Sequence, residues 1–340
     1  MAHIHMTDCC NLKCPYCFAN EFVNHDVNEI SEEAFHKAKD FILTGEKKNK
    51  IGLIGGEPLL HSKFEKLASS LLEVERLERI VIYTNGVYID KYLDLLSNEK
   101  FGLLINCNNA NDIGQSAYDR MVENIEKLIS ARGSVKGIYL GINMYKPDFE
   151  YEYLIDILKK HRLPRVRISI TVPNTDSKRM QAPLDYFKEI KDRMIEFFEV
   201  CLANDIIPSF DCNKMPICVL TEEDVKRIET AFANSNRKVK NVMSVFHNVR
   251  CNPVVDILPD LTAVRCFGMS ESTKVKIEDF NSFDELYNYY LGSVDDFAFQ
   301  TVHSVNCKEC YDRITRHCMG GCLAYKCEKI QNARDYCSKL

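Results

Sequence analysis

The chain is 340 residues long and 46% hydrophobic, with a formal net charge of -5 and no apolar run long enough to cross a membrane. Such a length buries a sizeable core, which sets its sixteen cysteines apart from the disulfide frameworks of short secreted domains. Mild acidity, no basic aromatic-rich stripe and no signal peptide exclude nucleic-acid binding and export and favour a cytoplasmic protein; Lys47-Lys48-Asn49-Lys50 reads as a solvated loop.

Residues 2–7 read as a short opening strand, and the run Cys10-Asn11-Leu12-Lys13-Cys14-Pro15-Tyr16-Cys17 follows it at once. The spacing C-x3-C-x2-C suits three irons of an iron-sulfur cubane and leaves the fourth without a protein ligand; closed zinc sites want four ligands in paired spacings. Cys9 lies outside the spacing and reads as a spectator thiol. Further strands are predicted near 49–55, 78–84, 101–107, 137–144 and 164–171. Amphipathic stretches follow them, such as Ala34, Phe35, Ala38, Phe41 and Ile42, or Met194, Phe197, Phe198 and Cys201.

The second strand runs into Gly55-Gly56-Glu57-Pro58, where two residues without side chains let a ligand approach the backbone and Glu57 can accept a hydrogen bond from an ammonium. The third closes on Thr84-Asn85-Gly86, where Asn85-Gly86 by itself reads as a routine turn. Asn106 and Asn108 at the end of the fourth strand, Asn143 in the fifth and Ser169 in the sixth are candidate polar contacts, with ordinary strand-end hydrogen bonding as the other reading.

Six alternating units imply a parallel sheet with crossover helices, an open barrel or a doubly wound sheet. After residue 204 the alternation stops and cysteines return at 251, 266, 307, 310, 318, 322, 327 and 337, which marks a second domain over 205–340.

Together the cysteine triplet, the GGEP segment and the TNG strand end resemble the radical S-adenosylmethionine (radical SAM) family. That resemblance implies an α/β core over 1–204, an open (β/α)6 partial TIM barrel, with Cys10, Cys14 and Cys17 holding a 4Fe-4S cluster. Tyr16 would then pack beside the adenine of SAM, Gly55, Gly56 and Glu57 would bind its amino group, and Asn106, Asn108, Asn143 and Ser169 would meet its ribose and carboxylate. The later cysteines, with Met319-Gly320-Gly321 inside C-x3-C, resemble the SPASM extension and its two auxiliary 4Fe-4S clusters.

By that pattern Cys307, Cys310, Cys318 and Cys337 hold one auxiliary cluster, with Cys327 as the alternative to Cys337. Cys251, Cys266 and Cys322 hold the other, its fourth ligand coming from Cys218 or Cys212 or its iron staying open. Two positions depart from the family: Leu261 stands where a glycine is usual, which puts the local turn in question, and Phe267 replaces the acid of sulfatase-maturing relatives. The resemblance implies reductive cleavage of SAM and oxidative modification, by cross-linking, of a ribosomally made peptide. It also implies an electron donor such as flavodoxin or ferredoxin. With the first strand so close to Met1, leader binding would fall to another surface or to a separate protein. The alternatives are a small-molecule dehydrogenase or protein maturase of the same superfamily, and an iron-sulfur or zinc scaffold without activity. No residue presents itself as the catalytic acid or base.

Overall fold

A computed structural model of the chain describes residues 2–17, 23–24, 28–46, 49–171, 183–237, 243–269, 274–301, 305–320 and 322–326. Cys327 and Cys337 lie outside the described residues. The chain divides into two compact units, Met1–Tyr139 with Pro253–Ser293, and Leu140–Asn252 with Val294–Leu340. The boundary read from the sequence, after residue 204, falls inside the second of these.

In the first unit four parallel strands stand in chain order: β1 (Ala2–His5), β2 (Lys50–Ile54), β3 (Arg79–Thr84) and β4 (Phe101–Asn106). Register explains why alternating residues build two different faces. Ala2, Ile51, Ile80 and Phe101 form one cross-strand row and Ile4, Leu53, Ile82 and Leu103 another; all eight are 0% exposed. The rows between place His3, Gly52, Val81 and Gly102, then His5 and Ile54, on the opposite face.

Helix α1 (Glu32–Leu43) buries Phe35, Ala38 and Ile42, and α2 (Phe64–Leu72) buries Phe64, Leu67, Ala68 and Leu71. Each large apolar side chain so enclosed stabilises the fold by about 2 kcal/mol over leaving it in water. Helix α1 starts where Ser31 accepts from the Ala34 amide, with Glu32 and Glu33 favouring its N-terminal dipole.

On the other side of β1 the sheet continues with β8 (Val255–Ile257), parallel to it, then β9 (Thr262–Val264), antiparallel to β8, and β10 (Val275–Lys276), antiparallel to β9. The β8–β9 turn closes through Leu258 N to Thr262 O at 2.8 Å and Leu261 N to Leu258 O at 3.0 Å. Leu261 sits at φ +63°, a left-handed conformation that glycine adopts freely and a β-carbon opposes. The turn expected of a glycine is therefore formed, with leucine held in the glycine conformation.

The second unit carries β5 (Ile138–Met144), β6 (Arg165–Ile170) and β7 (Ile207–Cys212), mutually parallel in that order. Strands β1 to β6 lie where the sequence predicts them; β7 is additional, in the stretch where the alternation was read as ended. The unit's longest helices among the described residues are α3 (Glu152–Lys160), α4 (Pro183–Ala203) and α5 (Glu222–Asn234). Met194, Phe197, Phe198 and Cys201 of α4 are all buried, as their spacing predicts. Thr221 and Asp224 form a reciprocal cap on α5, and Asp224 also accepts from Lys191 of α4 at 2.6 Å. No helix among the described residues is long and apolar enough to cross a membrane.

Candidate functional site: a cysteine loop clasped by two strand ends

The cysteine loop leaves β1 through Met6, whose amide donates to Ile54 O at 2.7 Å. The chain then runs against the end of β2: Gly56 N donates to Thr7 O and Glu57 N to Cys9 O, both at 2.8 Å. A β-carbon on Gly55 would stand 2.5 Å from Thr7 O, and one on Gly56 would stand 2.4 Å from Cys9 O. Here the glycine pair is needed by the protein's own cysteine loop, which lies as close to it as a ligand was expected to.

Glu57 is 1% exposed and its carboxylate is engaged inside the chain. It accepts from Leu59 N at 3.1 Å, Thr84 Oγ1 at 2.8 Å and Asn85 N at 2.8 Å. Burial pushes its pKa up to about 7, against the pull of those three donors. As folded, this carboxylate fastens the ends of β2 and β3. Asn85 continues the clasp, its Nδ2 donating to Asn11 Oδ1 at 2.9 Å. The TNG strand end is thus both a turn, with Gly86 at φ +82°, and a brace for the cysteine loop.

Within the loop, Cys17 N donates to Cys14 O at 3.1 Å and closes the turn over Pro15 and Tyr16. Tyr16 is 8% exposed, and its hydroxyl donates to Asn108 Oδ1. Asn108, buried, turns its Nδ2 toward Cys14 Sγ at 3.9 Å. Tyr16 and Asn108, read separately as ligand contacts, are brought together beside one thiol. Asn24 was missed: its Oδ1 accepts from Cys10 N and its Nδ2 donates to Cys10 O, each at 2.9 Å. Nothing in the sequence pattern marks it. Cys9, the spectator thiol, takes part through its backbone.

Burial pushes the Cys10 thiol up to about 12 and the Cys14 thiol up to about 11, and the charge of Cys17 raises both further. Cys10, Cys14 and Cys17 thus share one loop, three soft thiol donors of the type an iron-sulfur cluster takes.

Under the loop, His5 is 1% exposed and shares a hydrogen bond with Asp8 at 2.7 Å, while its ring stacks on Phe267 at 5.1 Å between centroids. Phe267, which stands where some relatives have an acid, thus packs against the strand that delivers the cysteines. His3 pairs with Asp256 at 2.7 Å across β1 and β8, and its ring lies where a β-carbon on Gly52 would stand 2.2 Å from Cδ2. Asn106 ends β4 half-buried, and Asn143 and Ser169 are register partners on β5 and β6 of the second unit.

The later cysteines fall into groups. Cys266 belongs to the first unit; Cys212, Cys218, Cys251, Cys307, Cys310, Cys318 and Cys322 belong to the second. Cys322 lies by Cys212, whose thiol its hydrogen bond holds below the usual range, and Cys322 N donates to Asn213 Oδ1 at 3.0 Å. Cys251 N meets Met319 Sδ at 3.3 Å. Cys218, Cys307, Cys310 and Cys318 line one cavity with Phe299 and Met319. Among the described residues no three His, Cys, Asp or Glu side chains gather as a single metal ion would require.

Residues 4–150 match the family model described as the radical SAM superfamily. The chain is 35% identical over 104 residues to molybdenum cofactor biosynthesis protein 1 of Dictyostelium discoideum, which covers 30% of this chain and 16% of that protein. It is 26% identical over 242 residues to GTP 3',8-cyclase of Staphylococcus carnosus, 67% of this chain and 63% of the relative. The chain thus spans less than two thirds of either relative.

Among solved structures, Streptococcus suis SuiB bound to S-adenosylmethionine superposes with a TM-score of 0.64 at 14% identity, covering 95% of this chain and 72% of that one. Native anSMEcpe with bound AdoMet gives 0.62 at 14% identity, covering 99% and 97%. At such identities the likeness shows a shared fold. The clasped cysteine loop lies within the segment, residues 4–150, that matches the radical SAM superfamily model.

Proposed function

We propose that this chain is a radical SAM enzyme that modifies a ribosomally made peptide, by oxidative cross-link formation. The observation that carries the reading is the clasp itself: Gly56, Glu57 and Asn85 hydrogen-bond to Thr7, Cys9 and Asn11 and so brace the loop that carries Cys10, Cys14 and Cys17. Bound to those three thiolates, a 4Fe-4S cluster with one iron free of protein ligands would supply the electron that splits SAM into methionine and a hydrogen-abstracting 5'-deoxyadenosyl radical. The chain's own part is positional. Glu57, Asn85 and Asn24 fix the loop, Tyr16 and Asn108 close over Cys14, and His5 with Phe267 keeps the space beneath it filled. Tyr16, Glu57, Asn106, Asn108, Asn143 and Ser169 remain the proposed side-chain contacts to SAM, and Gly55 and Gly56 offer it backbone alone.

The fold likeness to SuiB, which extends to SuiB bound to its precursor peptide SuiA at a TM-score of 0.56, supports a peptide substrate. The same likeness supports reading the strands as an open (β/α)6 partial barrel with a SPASM-like extension holding two further 4Fe-4S clusters. A flavodoxin or ferredoxin as electron donor, a separate leader-recognition protein and a cytoplasmic location complete the proposal. The sequence relatives named GTP 3',8-cyclase favour a second reading, a small-molecule substrate.

The test is anaerobic reconstitution followed by dithionite and SAM, with 5'-deoxyadenosine measured alone, with GTP and with peptides encoded beside the gene. Product that rises only with such a peptide, and a peptide mass lower by about two hydrogens, supports the peptide reading. A rise with GTP alone replaces it, and no cleavage from iron-loaded protein removes the enzyme.

A further inference from the structure

The run Cys307-x2-Cys310-x7-Cys318 supplies three thiols, and an all-cysteine cubane takes four, one on each iron. We propose that Cys218 is the fourth protein ligand of that cluster, so that neither Cys327 nor Cys337 is needed to complete it. The inference rests on reading the C-terminal cysteines as iron-sulfur ligands.

The four thiols come from separate pieces of one unit. Cys218 sits on the short turn Ile217–Val219 that follows β7, pinned by Val219 N to Pro216 O at 3.1 Å and Leu220 N to Ile217 O at 3.0 Å. Cys307 and Cys310 form a turn of their own, with Cys310 N directed at Cys307 O at 3.4 Å. Cys318 is placed by its amide, which donates to Asp312 O at 2.9 Å, and by a bridge to Val249. All four line the same cavity, whose other walls include Leu184, Pro216, Ala298, Phe299 and Met319.

Two further observations agree. Cys218 lies within reach of the charge of Cys307 and Cys310, and Cys318 within reach of all three. Gly320 N donates to Cys318 Sγ at 3.2 Å, the kind of backbone hydrogen bond that stabilises a ligating thiolate and tunes a cluster's potential. Around a cubane each thiolate meets a different iron, and the four thiols reach this cavity from separate segments. Cys322, held by Asn213 and Cys212, stands with another group, so Cys212 takes the place beside it that Cys218 was expected to share.

The experiment reads protection of thiols in the intact iron-loaded protein. Anaerobic iodoacetamide is applied before and after removal of the clusters, and each cysteine is scored by peptide mass. Cys218 should be blocked at least tenfold more slowly in the loaded protein, together with Cys307, Cys310 and Cys318, while Cys337 reacts at the same rate in both. Iron is counted in parallel: Cys218→Ala should lose one cluster, or show a three-iron signal by electron paramagnetic resonance on mild oxidation. The double variant Cys327→Ser/Cys337→Ser should keep the wild-type count.

Equal alkylation of Cys218 with and without clusters, at full iron content, overturns the assignment and leaves the proposed enzyme standing. Loss of the cluster from the double variant, with Cys218→Ala fully loaded, overturns it as well. Iron limited to a single cluster, with every C-terminal thiol reactive, overturns both the assignment and the auxiliary-cluster reading.

Discussion

Gly56→Ala tests the clasp most directly. The added β-carbon would stand 2.4 Å from Cys9 O, 2.8 Å from Cys9 C and 3.0 Å from Asp8 O, all of them backbone atoms that no rotamer change can move away. Ordinary contact begins at 3.4 Å, so the Cys9 carbonyl must retreat by about 1 Å. That movement breaks the 2.8 Å bond from Glu57 N, worth about 1 kcal/mol net, and displaces the neighbouring Cys10. A displacement of this size at a reacting centre costs on the order of 100-fold in rate.

The expected result is an iron-loaded variant with about 1% of wild-type SAM cleavage, or one that fails to hold the Cys10, Cys14 and Cys17 cluster. The assay is anaerobic 5'-deoxyadenosine formation, normalised to iron. Gly292→Ala is the control, because nothing lies within 4 Å of its β-carbon and its φ is not left-handed. Wild-type iron and cleavage within twofold for Gly56→Ala would refute the argument that this glycine exists for the loop's backbone.

Other outcomes follow from single features. Glu57, with its folded pKa of about 7 above the ordinary 4.5, holds its proton longer folded than unfolded, so stability falls as pH rises from about 4.5 to 7, by roughly 3 kcal/mol in all. Glu57→Gln removes that slope while leaving Asn85 N without its acceptor; urea midpoints of the two proteins should converge as pH rises, and a constant offset contradicts the raised pKa. At Leu261, φ +63°, glycine should be more stable than alanine by about 1 kcal/mol, a difference of a few degrees in melting temperature; equal values refute strain there. Cys14→Ala should abolish SAM cleavage yet keep about eight of about twelve irons, because the cysteines proposed for the other two clusters lie on segments apart from the Cys10 to Cys17 loop. Complete iron loss would show that the units do not load independently.

Much of this protein was legible without coordinates. The alternation of apolar residues fixes six strand positions and the faces of α1 and α4, because a two-residue and a 3.6-residue period bury different sets. The cysteine triplet carries its expected chemistry for a local reason: C-x3-C-x2-C keeps all three proposed ligands on one loop, independent of the rest of the fold. Partnerships between distant segments were not legible.

Glycine at 55 and 56 looks the same in sequence whether a ligand or Thr7 and Cys9 lie over it, and only the register of β1 on β2 decides. Glu57 reads as a hydrogen-bond acceptor, and only the packing of β3 beside it shows that Thr84 and Asn85 donate to its two oxygens. Cys218 and Cys212 were interchangeable as spare ligands, since sequence distance says nothing about which cavity a thiol reaches. Strand β7 separates them, ending at Cys212 beside Cys322, while the turn beyond it carries Cys218 to Cys307, Cys310 and Cys318. Local spacing sets what a residue can do, and packing between segments far apart in the chain sets what it meets.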